Sequence, residues 1–355
     1  MKKTAFILFF FTALIFSFKA EAQVEKQSQE LQPEKYLQKT ATDYQTLTIK
    51  VWDYTKNAKS AKTLSDIDDQ RLKLISELEK AIKKLEGIND WKGELKLFTA
   101  FRSYYGTAIT VLKLSYSELA TLEKTKSNSL DQMKKFLQKE KSIRDQLLAE
   151  NQKAIAAQDE FTKFHKIDIN SDNTGVTDRM EKAGEVYDYY DQVYLLIYRC
   201  SLLDQKIMDA IAVKNTVEMD RLAKEQAVAA NEGIGILNKM NPFTSQVGKA
   251  VTDDRLRKPT RQLLDFYKNT AEVHTPKQIA FFEAQQQFKK NAEALQANPK
   301  RTKEQVVNFN KEKNQMKKKT ELYNRENGPV NAKRTFVVNV WNNDAVNFIE
   351  INVPE

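Results

Sequence analysis

Apolar residues recur at three- and four-residue intervals along most of the chain, the spacing that gathers them on one side of a helix. A first stripe runs Leu37, Thr40, Tyr44, Leu47, Val51, Tyr54 and Ala58. A second runs Leu64, Ile67, Arg71, Leu74, Leu78, Ala81, Leu85 and Ile88, with Ser65 or Asp66 placed to cap its start and Gly87 its end. The third carries Leu95, Phe98, Phe101, Tyr105, Ala108, Leu112, Tyr116, Leu119 and Leu122. A polar break at Ser127-Asn128-Ser129 precedes a fourth helix over about 131–166, with Phe136, Ile143, Leu147, Ala154, Ala157, Phe161 and Phe164 on one side. Short connections favour antiparallel neighbours and the 3-4 spacing favours shallow crossing angles, so residues 23–167 read as a four-helix bundle.

Residues 168–177 are the most loop-like stretch of the remaining chain and predict a linker. Beyond it the pattern predicts helices over about 178–212, 215–239, 250–272, 276–295 and 302–326, with a turn at Asn241-Pro242-Phe243. Residues 178–355 thus form a second helical bundle, and the fold class is all-α with two tandem antiparallel bundles. Matched pairs hint at internal duplication. Glu34-Lys35 and Glu181-Lys182 lie 147 residues apart, Arg71-Leu72 and Arg221-Leu222 lie 150 apart, and Tyr104-Tyr105 and Phe266-Tyr267 lie 162 apart. Asn327-Gly328-Pro329 reads as the end of a helix. Residues 335–353 have the composition of a hairpin, yet Val337, Trp341, Ala345, Phe348 and Asn352 share one helical face, and a final helix is the expectation.

Composition agrees with helices. The chain has 355 residues, 30% of them charged, and only 9 Gly and 7 Pro, too few turn formers for a many-stranded sheet protein. With 2 His and 1 Cys it has no Cys/His zinc cluster and no intramolecular disulfide framework. Met1-Lys2-Lys3, the apolar run Phe6 to Phe18 and Ala20-Glu21-Ala22 make residues 1–22 a secretory signal peptide, too short in its apolar part to span a bilayer. Cleavage after Ala22 leaves Gln23 and no Cys at the new terminus, so the expectation is an exported protein of the periplasm or cell surface, not a lipoprotein. Without residues 1–22 the chain carries 54 basic against 47 acidic residues, a net of +7. That mild excess, with both signs interspersed, reads as a solvated surface and not as a nucleic-acid-binding one. The densest basic run, Lys311 to Lys319, lacks interleaved aromatics for stacking bases and suits weak contact with anionic lipid or glycan.

Few constellations look chemical. Asn170, Asp172, Thr174, Gly175, Asp178 and Glu181 follow the spacing of a calcium loop between two helices, although Asn170 stands where Asp is the rule and no second loop pairs with it. Asp178 with Glu181 is equally an ordinary capping box. Gly233-x-Gly235 lies inside a helix and reads as close packing. His165 and His274 have no ligand spacing and read as surface or helix-end residues. Asp66, Asp68 and Asp69 suit a helix start, Cys200 reads as a buried thiol, and Tyr187, Tyr189, Tyr190, Tyr194 and Tyr198 as core with hydroxyls at the rim. Neither a nucleophile–base pair nor a cofactor motif stands out, and no catalytic, cofactor or metal residue is assigned.

The signal peptide with Gln23 after Ala22, the tandem amphipathic helices, the Tyr-rich helix, and the ending Trp341-Asn342-Asn343, Phe348-Ile349-Glu350 and Val353-Pro354 resemble a group of uncharacterised exported all-helical bacterial surface proteins. The resemblance implies an envelope location and an all-α fold, and brings no activity to transfer. The function expected is a non-enzymatic structural or interaction module that meets a protein partner, or itself, through helical faces. The alternative is an envelope small-ligand or glycan binder, or a hydrolase, with a site built between helices.

Overall fold

The computed structural model describes residues 32–88, 95–168, 174–245 and 251–354. Among the described residues the chain is all-α, 88% helical in eight helices. The first is α1 (Pro33–Ser60), with a proline in its first turn, where a missing N–H costs nothing. It buries the predicted Leu37, Thr40, Tyr44, Leu47, Val51 and Tyr54. A 3₁₀ turn, Leu64–Ile67, leads into α2 (Asp68–Glu86). Its cap is Thr63, in a reciprocal box with Asp66, and not Ser65 or Asp66 as expected. The third helix is α3 (Lys96–Thr110) continued through a π-helical turn, Val111–Ser115, into α4 (Tyr116–Glu123). The fourth, α5 (Leu130–His165), starts where the Ser129 hydroxyl accepts the Gln132 N–H at 3.2 Å.

The second half begins with α6 (Thr174–Ala212) and α7 (Thr216–Lys239), the latter capped by Asn215. After it come two three-residue strands that the sequence did not suggest, β1 (Phe243–Ser245) and β2 (Val251–Asp253), paired antiparallel. Then α8 (Arg257–Asn269) runs through a second π turn, Thr270–His274, into α9 (Thr275–Ala297). The two helices expected at 250–272 and 276–295 are therefore one. The π turn lies just ahead of Pro276 and widens the helix where the ring would otherwise meet the carbonyl of the preceding turn. The last helix, α10 (Lys303–Asn352), corrects a second expectation, because it passes straight through Asn327-Gly328-Pro329. An interior proline costs a helix about 3 kcal/mol. Packing on both sides outweighs that: Tyr323 stacks on Phe281 ahead of the proline, and Val337, Trp341, Ala345 and Phe348 are buried beyond it. The helical reading of 335–353 and its buried face hold.

The buried side chains form two clusters. The first joins α1 to α5; the second joins α7, α8, α9 and the C-terminal part of α10. Helix α6 belongs to both. Val176, Met180, Ala183, Tyr187 and Tyr198 enter the first cluster, while Val186, Val193, Ile197, Cys200, Leu203 and Ile207 enter the second. Tyr194, Ile349 and Val353 lean on both. The expected linker at 168–177 is thus shorter on its C-terminal side, since α6 starts at Thr174 and buries Val176 and Thr177. No described helix is long and apolar enough to cross a membrane.

Candidate functional site

The densest buried chemistry sits where α1, α5 and α6 meet. Lys59, near the end of α1, donates to Glu140 of α5 at 2.6 Å and to Asp191 of α6 at 3.0 Å, with all three side chains largely shielded from water. One turn along α5, Arg144 pairs with Asp188 of α6 at 2.9 Å and lies over the Tyr187 ring. Burial by itself would pull the Lys59 ammonium down, but Glu140 and Asp191 outweigh it and hold Lys59 above its ordinary value. Burial pushes Asp191 up, against the pull of Lys59. The cavity bounded by Lys59, Glu140, Arg144, Tyr187 and Tyr116 has about 20 Å³, room for one water and not for a substrate. Two carboxylates facing each other are what acid–base catalysis would need; here both are paired with one lysine, and the pairs tie α1, α5 and α6 together.

The sequence carries a signal for this cluster beyond the candidates named above. Glu140 falls between Phe136 and Ile143 at helical spacing, Asp191 between Tyr187 and Tyr194, and Lys59 follows Ala58. A charge on an otherwise apolar stripe has to find a partner when the stripe is buried. A second case, Asp204 of α6 with Arg334 of α10 at 2.8 Å, ties the second cluster in the same way.

The predicted candidates scatter. Asn170 and Asp172 of the calcium spacing lie outside the described residues, as does the signal peptide. Thr174, Gly175, Asp178 and Glu181 all lie within α6, and Asp178 is an interior residue instead of a cap. Glu181 accepts from the Gln152 amide at 2.5 Å. Gly233 is a true packing glycine, where an added Cβ would come within 3.0 Å of Leu264; around Gly235 there is open space. His165 closes α5 against Phe161 and Phe164, whereas His274 sits inside the α8–α9 helix, in the π turn, half-buried and depressed chiefly by burial and by Lys277. Cys200 is buried, free, and pushed up to about 12 by burial. The tyrosines form a ladder between the clusters: Tyr190 stacks on Tyr194, Tyr194 lies beside Trp341, and the Tyr198 hydroxyl donates to the Lys126 carbonyl at 2.8 Å.

A different surface stands out by its exposure. From residue 283 to 336 no side chain is buried, although the whole stretch apart from the 298–302 turn is helical. The outer part of α9 and the first half of α10 form a two-helix arm held by stacked pairs, Phe281 on Tyr323 at its root and Phe288 on Phe309 further out. Residues 283–321 hold ten Lys and Arg against five Asp and Glu, a net of +5, which is most of the chain's excess. Val307, Lys311, Asn314, Lys318 and Leu322 are all exposed and share a sector of about 80° on α10. None of Lys311, Lys313, Lys317, Lys318 and Lys319 has an ion-pair partner among the described residues. No family model, curated protein or solved structure matches the chain.

Proposed function

We propose that the chain is an exported, non-enzymatic interaction module of the periplasm or cell surface, and that its arm receives a protein partner through an acidic amphipathic helix. The observation that carries this is the exposed stripe of α10. Apolar Val307 and Leu322 bracket Lys311 and Lys318, a pattern complementary to a helix with apolar ends and an acidic middle. The export half of the reading rests on the signal-peptide pattern of residues 1–22.

A photo-crosslinking residue at Asn314 tests the partner. Irradiated in cells, the chain should join a protein whose crosslinked peptide is an acidic amphipathic helix, and a version lacking residues 283–321 should capture none. Crosslinks to lipid or glycan alone, or equal capture by the armless chain, overturn the helix partner. Cell fractionation tests export independently: unprocessed chain in the cytoplasm overturns it.

A further inference from the structure

The two irregularities in the second half face each other. The π turn Thr270–His274 and the interior proline Pro329 of α10 line opposite walls of one open cleft of about 400 Å³, within the size range of small-ligand sites. A π turn swells one wall, and Pro329 removes a backbone N–H from the other, leaving the Arg325 carbonyl without its usual partner one turn back. Both features work against helix stability, and such irregularities gather where a site needs them.

The lining is apolar with a one-sided charge. Val330 supplies apolar surface beside the Pro329 ring, with Phe266, only 4% exposed, at the floor of the cleft. Glu326, the one carboxylate among the lining residues, is engaged by Lys277 at 3.1 Å. That leaves Arg325 and Lys333, one turn to either side of Pro329, with no ion-pair partner among the described residues, and His274 on the facing wall. Burial and the nearby Lys277 disfavour a charge on His274 and outweigh the opposing pull of Glu326, which leaves its imidazole able to donate a neutral hydrogen bond.

We propose that this cleft binds a small organic anion, an oxyanion head on an apolar body, with Arg325 or Lys333 holding the head and the Pro329 ring and Val330 covering the body. The head is a carboxylate or a phosphate, the two sharing the same chemistry of recognition. The site is independent of the arm's partner, so either can fail without the other.

Isothermal titration of residues 23–355 tests it with four probes: octanoate, octyl phosphate, inorganic phosphate and neutral octanamide. Saturable one-site binding of octanoate, octyl phosphate or both, with octanamide and inorganic phosphate weaker by about tenfold or more, is the expected result, and the tighter of the two names the head. Octanamide binding as well as octanoate overturns the charge assignment; inorganic phosphate binding as well as octyl phosphate overturns the apolar one; no saturation by any probe below about 1 mM overturns the site. The paired change Arg325→Gln with Lys333→Gln, at exposed or half-exposed positions that leave the fold intact, should weaken the anion about tenfold and leave the circular dichroism unchanged. Pro329→Ala, which restores the helix and narrows the cleft, should weaken binding while raising the melting temperature; unchanged binding in both variants overturns the proposal.

Discussion

At the scale of single residues, the fold depends on polar groups taken out of water. Replacing Lys59 by Met leaves Glu140 and Asp191 buried without their shared cation, and the expected loss is about 3–5 kcal/mol, read by urea denaturation. Adding Glu140→Gln to that variant should recover part of it, since one of the two stranded charges is gone. Alkali acts in the same direction. Burial raises the hydroxyls of Tyr44, Tyr104, Tyr105, Tyr116, Tyr190 and Tyr267, and the carboxylates hold Lys59 up as well. All these groups keep their protons in the folded chain at a pH where the unfolded chain has lost them. Their contribution is therefore whole below about pH 10 and falls as pH rises beyond it. Tyrosinate absorbance of these rings should appear together with the loss of helical ellipticity; ionisation at ordinary pH with the helices intact would contradict their burial.

Helix by helix, the sequence pattern located the elements well and their ends poorly. The stripes of α1 and α2, and of α5 as far as Phe161, became buried faces because each follows the 3-4 spacing of one helical side, whereas Phe164 at the end of α5 is 76% exposed. The Asn327-Gly328-Pro329 run reads as a break by local propensity, worth about 3 kcal/mol, and burial against packing partners distant in sequence outweighs it. The two glycines of α7 show how neighbours decide what a residue does. Gly235→Ala, into open space, should stabilise by up to about 1 kcal/mol through helix propensity, whereas Gly233→Ala, pressed against Leu264, should gain nothing or lose stability. Thermal melts of the two variants in parallel decide it.

For the molecule as a whole, the shared helix α6 governs how stability is distributed. A fragment ending at residue 168 lacks Val176, Met180, Ala183, Tyr187 and Tyr198, and with them the Asp191 end of the buried charge cluster. A fragment of residues 32–198 restores all of these and should unfold at clearly higher urea than residues 32–168. Equal midpoints would mean that α6 contributes nothing to the first cluster. The arm lies at the other extreme: with no buried side chain between residues 283 and 336, removing residues 283–321 should shift the melting temperature little.

Hydrophobic periodicity by itself determined the helical class, the position of nearly every helix and the buried face of residues 337–352, because amphipathic spacing is a local property that survives whatever the helix packs against. Composition by itself pointed to the mild basic excess, and the apolar neighbours Tyr198, Leu202 and Leu203 pointed to Cys200 as a buried thiol. Only the tertiary structure decided that Lys59, Glu140 and Asp191 meet, that α6 serves two cores, that the basic residues gather on one exposed arm, and that a π turn faces Pro329 across a cleft. Apart from the charges of the arm, which are contiguous and owe only their exposure to the fold, each of these is a relation between residues far apart in the chain. Such relations depend on how far one helix slides and rotates against another, which the spacing of apolar residues along either helix leaves free.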